Sequence, residues 1–372
     1  MSTRLPSEPP PISGFSYVRP LGTGGFSDVY LYQQDMPRRQ VAVKVLRNEG
    51  LGPEQLKMFH AEADVLAKLS SHPAILTVFQ ASITADGRPY LVMEYCPSSM
   101  SPRYRRERIS VAEALAAGVS ISSAIETVHR AGIFHRDITP SNILVTGFGA
   151  PVLSDFGIAS ARSGHTEEYF AMSIPWSAPE IIDEQIAGSV PAEVWSLGAT
   201  VYSLLASRSP FEREGEGQNT KDKLSERIRQ AKYQPINRPD LPIEVERILA
   251  KALAKNPADR YQSAAEFAVE LQKAQVFLGH AMTPLELGGT AWTQESRNIA
   301  LGDGALRGPS RAQVPVESKR KSRNPQSSSA LSDDNIVEAS KTPQTRNSVL
   351  WMLLGVAATV VVFTVLALTG LL

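Results

Sequence analysis

The sequence predicts an α+β fold of two unequal lobes, a flexible linker and a membrane-spanning tail, on three observations. Strand-like stretches dominate the first part of residues 15–278, among them 41–45 and 90–95. Helical periodicity dominates the rest, at 111–129, 191–206, 244–254 and 263–275, and strands followed by helices is an α+β order. The third observation is a run without charge at 349–372.

Taken in order, residues 1–14 hold Pro6, Pro9, Pro10 and Pro11, which predict a disordered lead-in without the apolar run of a secretory signal. Residues 15–278 form the folded domain. At 42% hydrophobic and 20% charged, the 372-residue chain can build a core of ordinary composition. Lys plus Arg and Asp plus Glu are both 38, so no global positive field points to a nucleic-acid partner. Cys96, the sole cysteine, excludes an intramolecular disulfide and a cysteine-based zinc site, and suits a reducing compartment. Ser, Pro, Gly, Asn and charges take over in 279–348, most clearly after Met282, with a basic cluster at 319–323. A coil of about 66 residues spans roughly 45 Å, which lets the domain range over a nearby surface. The uncharged run 349–372 would give roughly 36 Å of helix against a hydrocarbon core of about 30 Å. Trp351 suits the membrane interface, and Lys341 and Arg346 predict that the folded domain faces the cytoplasm.

The chemistry concentrates in His135-Arg136-Asp137-Ile138-Thr139-Pro140-Ser141-Asn142. An aspartate and an asparagine five positions apart, with a proline-stiffened turn between them, fit a phosphoryl-transfer loop: the carboxylate orients a hydroxyl and the amide oxygen holds Mg²⁺. Upstream, the glycine-rich turn Leu21-Gly22-Thr23-Gly24-Gly25-Phe26-Ser27-Asp28-Val29 would let backbone amides approach phosphate oxygens. Lys44 ends Val41-Ala42-Val43 and needs a partner charge, for which Glu62 on the helical stretch 53–69 is the candidate. Downstream, Asp155-Phe156-Gly157 follows the apolar strand 151–153, eighteen residues after Asp137, and Asp155 could complete a magnesium site with Asn142. Ala178-Pro179-Glu180 comes next.

With these motifs in this order and spacing, the chain resembles the protein kinase family over residues 15–271, and most of all the bacterial serine/threonine kinases of eukaryotic type. Arg103-Tyr104-Arg105-Arg106-Glu107-Arg108 and Met172-Ser173-Ile174-Pro175-Trp176 are similar to an actinobacterial subgroup. The resemblance implies a two-lobed kinase fold, ATP as phosphoryl donor, Mg²⁺, protein substrates, and room for a homodimer of the kinase domain. It implies that Leu21, Gly22, Gly24, Gly25, Val29, Ala42, Met93, Glu94 and Cys96 surround the nucleotide, with Met93 as gatekeeper. Lys44 would bind the α- and β-phosphates, oriented by Glu62. Asp137 would be the base, Asn142 and Asp155 the metal ligands, and Glu180 the buried partner of Arg260. Ser160, Ser163, Thr166, Tyr169 and Ser173 fall in the activation segment, where Arg136 could clamp a phosphate. Thr166 is the first choice for that switch. Ser173 is either another such site or the hydroxyl that this family sets beside the catalytic aspartate.

Two positions depart from the family pattern. Thr139 stands where a lysine normally meets the γ-phosphate, and Ser141 does not supply the arginine that tyrosine kinases use instead. A missing cation there costs on the order of 3–4 kcal/mol of transition-state stabilisation. Glu193 replaces the usual aspartate that braces the catalytic loop. The expected activity is thus Ser/Thr protein phosphorylation, autophosphorylation included. The alternative is a pseudokinase acting as a nucleotide-binding membrane scaffold, and a small-molecule phosphotransferase is the third reading.

Overall fold

The computed structural model describes residues 5–24, 27–47, 52–156, 173–184, 186 and 188–287. By internal contacts the chain divides into Met1–Gly304 and Ala305–Leu372, and the second unit, with the proposed membrane segment, lies outside the described residues.

The small lobe is an antiparallel sheet of five strands in the order β1-β2-β3-β5-β4. They are β1 (Phe15–Thr23), β2 (Ser27–Gln34), β3 (Arg39–Leu46), β4 (Val78–Ile83) and β5 (Pro89–Glu94), and α1 (Pro53–Leu69) packs beside them. Alternation sorts the side chains of β2 and β3 onto two faces. Tyr30, Tyr32, Val41, Val43, Val45, Tyr90 and Val92 form one cluster; Ala42, Leu46, Phe59, Leu91 and Met93 form the other, toward α1. The strands expected at 41–45 and 90–95 and the helix at 53–69 are thus present.

The first face is covered by the chain's own N-terminal segment. Ile12 is buried in that cluster, Tyr32 Oη donates to Pro10 O (2.6 Å), Tyr30 Oη to Ser7 O (2.8 Å) and Arg88 to Glu8 O (3.1 Å). The disordered lead-in expected at 1–14 is therefore corrected for residues 7–12. Buried tyrosines need acceptors for their hydroxyls, and a proline-rich segment supplies carbonyls without needing ladder partners for its own missing N–H groups.

The large lobe begins with the two-residue strand β6 (Ser98–Ser99) and the helices α2 (Met100–Arg106) and α3 (Val111–Arg130). Ser110 caps α3 by accepting from Glu113 N (3.1 Å), as an N-terminal serine should. Then come β7 (Ile143–Val145) and β8 (Pro151–Leu153), which form a three-stranded sheet with β6. Among the described residues the remaining α-helices are α4 (Pro179–Ile182), α5 (Val190–Ala206), α6 (Lys221–Gln230), α7 (Ile243–Ala252) and α8 (Ala264–Phe277). The helices expected at 111–129, 191–206, 244–254 and 263–275 match α3, α5, α7 and α8 within a few residues, whereas α2, α4 and α6 were not anticipated. One cluster built on α3, α5, α7 and α8 forms the core. Gly118 of α3 lets α5 and α8 approach: a Cβ there would lie 2.8 Å from both Leu271 Cδ1 and Val201 Cγ2. By length and composition α3 could cross a membrane, but its burial in this core marks it as a core helix.

Arg260, fully buried, fixes the C-terminal half. Its guanidinium donates to Glu180 Oε1 (2.6 Å) and Oε2 (2.9 Å), to Ala254 O, Pro191 O and Lys255 O, which uses all five N–H groups. The bidentate pair with Glu180 is the one anticipated, and removing one partner of such a pair typically costs about 3–5 kcal/mol.

Candidate active site

The cleft lies where the second face of the small-lobe sheet meets β7 and β8. Leu21, Val29, Ala42, Met93 and Cys96 come together there, joined by Leu144 and Val152 from the large lobe. They make an apolar slot suited to a flat heterocycle. Leu144 and Val152 were not singled out as site residues, because an apolar residue in a short strand looks the same whether it lines a core or a ligand. Glu94 stands at the end of β5, pairing with Val41 of β3. Burial, then the neighbouring Glu94 charge, pushes the Cys96 thiol up to about 12, so it stays protonated at neutral pH.

At the open end of the slot, Gly22 pairs with Val29 and Thr23 with Asp28 across the hairpin. Gly24 N donates to Ser27 O (2.7 Å), and a Cβ on Gly24 would sit 3.0 Å from that oxygen. Gly22 has open space where its Cβ would be. Gly25 lies outside the described residues.

Lys44 reaches inward from β3 and is held twice. Its Nζ is 2.7 Å from Glu62 Oε1 on α1 and 2.9 Å from Asp155 Oδ1 after β8. The Lys44 and Glu62 side chains are each 13% exposed, that of Asp155 49%. Burial alone would lower the Lys44 ammonium, but the Asp155 and Glu62 charges overcome it and hold the pKa above its ordinary value. In turn Lys44 holds the Asp155 carboxyl below its usual range, against the effect of burial. Both groups are thus charged at neutral pH. Asp155 takes a left-handed backbone (φ 55°), which aims its carboxylate back toward Lys44 while Phe156 turns into the core. That conformation is strained for a non-glycine residue and is held by packing on both sides.

The Asp137 loop is braced from below. Arg136 also has a positive φ (68°), and its amide donates to Glu193 Oε1 at 2.6 Å. The other Glu193 oxygen accepts from His129 Nε2 at 2.7 Å, so the longer glutamate arm fills the expected bracing role with both oxygens occupied. Thr200 Oγ1 adds a bond to Ile138 O (3.1 Å). Buried His135 packs at a tilt against Phe156 (centroids 4.7 Å apart), donates from Nε2 to Ser154 O (3.1 Å) and accepts Asp137 N–H at Nδ1 (3.3 Å). Burial lowers its pKa, consistent with this neutral tautomer. His129 was not anticipated: it and Glu193 are 64 residues apart and joined only by the fold.

Asp137 itself is engaged through its side chain. Ser173 Oγ donates to Oδ1 (2.5 Å), and Asn142 Nδ2 donates to Oδ2 (2.7 Å) and to the backbone oxygen (2.8 Å). Of the two readings of Ser173, this geometry fits the one that sets its hydroxyl beside the Asp137 carboxylate. With its Nδ2 spent on Asp137, Asn142 has its amide oxygen left over, the atom that could ligate a metal. Asn142 Oδ1 and the Asp155 carboxylate are hard oxygen donors suited to Mg²⁺, which takes few protein ligands and fills the rest with phosphate and water. Among the described residues no group of three or more His, Cys, Asp or Glu side chains could hold a metal unaided. Thr139 is 4% exposed at the start of the 3₁₀ turn Pro140–Asn142 and makes no side-chain capping bond. Ser160, Ser163, Thr166 and Tyr169 lie outside the described residues.

The model of the protein kinase domain family matches residues 15–274. The chain belongs to the protein kinase family. Protein kinases use ATP as phosphoryl donor and Mg²⁺ as cofactor, which is what the site's donor set suits. The chain is similar to the serine/threonine-protein kinase PknK of Mycobacterium tuberculosis, 36% identical over 285 residues, covering 74% of this chain and 25% of that protein. It is also similar to PknB of Mycobacterium leprae, 32% identical over 304 residues, covering 77% of this chain and 46% of the relative. To PknA of Mycobacterium tuberculosis the identity is 34% over 261 residues, covering 67% and 58%. The chain therefore spans between a quarter and about three fifths of the length of these relatives.

Proposed function

We propose that this chain is a membrane-anchored protein kinase that transfers the γ-phosphoryl group of ATP to Ser or Thr hydroxyls of proteins, its own included. The observation that carries this reading is that all five charged or amide groups of the reaction are engaged at once: Lys44 with Glu62 and Asp155, and Asp137 with Asn142. Asp137 accepts a hydroxyl hydrogen bond at one oxygen while Asn142 fixes the other, which is the task of orienting an acceptor hydroxyl for in-line attack. Lys44 is the charged donor for the α- and β-phosphates, and Glu62 keeps it from collapsing wholly onto Asp155. Asn142 and Asp155 would hold a Mg²⁺ ion, which would supply charge neutralisation to the phosphates. The serine/threonine-kinase names of the similar proteins support the acceptor class.

A second reading, the pseudokinase scaffold, is favoured by Thr139 alone. No charge stands at that position, and a threonine hydroxyl offers one hydrogen bond where a cation would offset developing negative charge. Membrane anchoring rests on the uncharged run 349–372 and on Lys341 and Arg346 before it.

With radiolabelled ATP and a protein substrate, the wild-type chain incorporates label and Lys44→Met falls to background; equal incorporation by the two would sink the kinase reading. Thr139→Lys raises kcat by at least about tenfold and moves KM for ATP by less than about twofold, because the added charge acts on the transferring phosphoryl group. An unchanged or lower kcat contradicts that account of the missing cation. Protease added to intact cells leaves the kinase domain uncut, whereas cleavage would reverse the proposed orientation.

A further inference from the structure

Beyond α8 the chain turns at Gly279 (φ 72°) and runs back along that helix. His280 N donates to Gln275 O (2.9 Å) and Thr283 N to Gln275 Oε1 (2.9 Å); Gln275 Nε2 donates to Thr283 Oγ1 (2.8 Å) and Gln272 Nε2 to Thr283 O (2.7 Å). Leu285 packs against the large-lobe core. The linker expected from 279 onward is therefore corrected: its first residues are bound to the domain. The far end of this strap reaches past α3. Glu286 O accepts from Ser123 Oγ (2.5 Å) on α3 and lies 2.7 Å from His72 Nε2 in the turn between α1 and β4. Because His72 Nδ1 accepts Ala74 N–H (3.0 Å), the hydrogen is on Nε2, which faces Glu286 O at 2.7 Å and Ser123 Oγ at 3.2 Å.

That turn is a sensitive place to hold. Ser70 N bonds Leu66 O (2.7 Å) and His72 N bonds Leu69 O (3.0 Å), so the turn closes the C-terminal end of α1, the helix that carries Glu62. Leu76 N bonds Leu153 O (2.9 Å) and Leu153 N bonds Ala74 O (2.9 Å), so it also holds β8, which leads into Asp155. Leu66, Leu69, Ala74 and Ile75 share one cluster with Ala124 and Val128 of α3 and with Phe156. Both carboxylates that grip Lys44 thus connect to a turn whose histidine meets α3 directly at Ser123 Oγ (3.2 Å) and, more closely, the strap carbonyl of Glu286, which bonds both side chains.

We propose that residues 282–286 are a positioning strap for phosphoryl transfer. Docked, the strap fixes the α1–β4 turn on α3 and keeps Glu62 and Asp155 on Lys44; undocked, it lets α1 loosen. It acts through Glu62 and Asp155 and touches neither nucleotide nor substrate. Because the chain continues from the strap into the proposed linker, a pull or a binding event there would reach the active site without entering the cleft. The rate arm of the test rests on the kinase reading, while the exchange arm does not.

The full chain is compared with Leu285→Asp, which places a carboxylate where an apolar anchor packs, with Leu285→Met, which keeps the anchor, and with Thr283→Ala, which removes one strap bond. In Leu285→Asp, amide exchange across residues 60–77 speeds up by about fivefold or more. Its kcat falls about tenfold while KM for ATP shifts less than about twofold. Thr283→Ala moves both readouts the same way by less, and Leu285→Met behaves as wild type. Faster exchange confined to 275–287, or an unchanged kcat in a wild-type-active chain, overturns the proposal. If the wild type transfers no phosphate, the kinase reading fails, and exchange in 60–77 alone decides for or against the strap.

Discussion

The Lys44 ammonium, held between Glu62 at 2.7 Å and Asp155 at 2.9 Å, is the interaction on which the rest of the arrangement depends. It joins three pieces far apart in sequence: a strand of the small-lobe sheet, the helix beside it, and the segment after β8. A buried ammonium with one carboxylate would settle on that partner. With two it is shared, and both partners must be carried to it by correctly placed backbone. Helix α1 and the left-handed Asp155 are therefore conditions of this contact as much as neighbours of it.

The layers beneath follow the same logic. Phe156 fills the space between α1 and α3, so that Asp155 can turn outward while its neighbour turns in. His135 packs at a tilt against Phe156 and bonds the backbone of two segments, at Ser154 after β8 and at Asp137. Glu193, pinned by His129, holds the Arg136 amide in its strained conformation, and α5, which carries Glu193, is in turn tied to Arg260 through Pro191 O. Strain in the loop of Asp137 is thus borne by a buried carboxylate, and the strain of Asp155 by aromatic packing.

Much of this was legible in the sequence because catalytic motifs record local geometry as spacing. Asp137 and Asn142 face each other across one 3₁₀ turn, so a spacing of five residues suffices to foresee that they share one site, although the bond between their side chains was not anticipated. Lys44 and Glu62 were readable for a different reason: a strand lysine facing inward needs a charge, and the next helix offers one. What escaped is held by long-range or weakly patterned contacts. Helix α6 buries Leu224, Ser225 and Ile228, and its other residues are charged or polar, so too few apolar side chains mark it as a helix in the sequence. The proline-rich residues 7–12 have the composition of a disordered segment, yet they dock because Tyr30, Tyr32 and Arg88 seek carbonyls. The strap at 282–286 is held mainly by glutamine, serine and histidine side chains, which carry no periodic signal at all.

The most direct measurement of the central claim is a single-turnover rate of phosphoryl transfer, with nucleotide affinity measured alongside, for Glu62→Gln. The change keeps the size of the side chain and removes the charge that shares Lys44 with Asp155. If that sharing positions the phosphates, the chemical step slows by about a hundredfold while the Kd for ATP changes less than about threefold. A chemical step as fast as wild type would contradict the account.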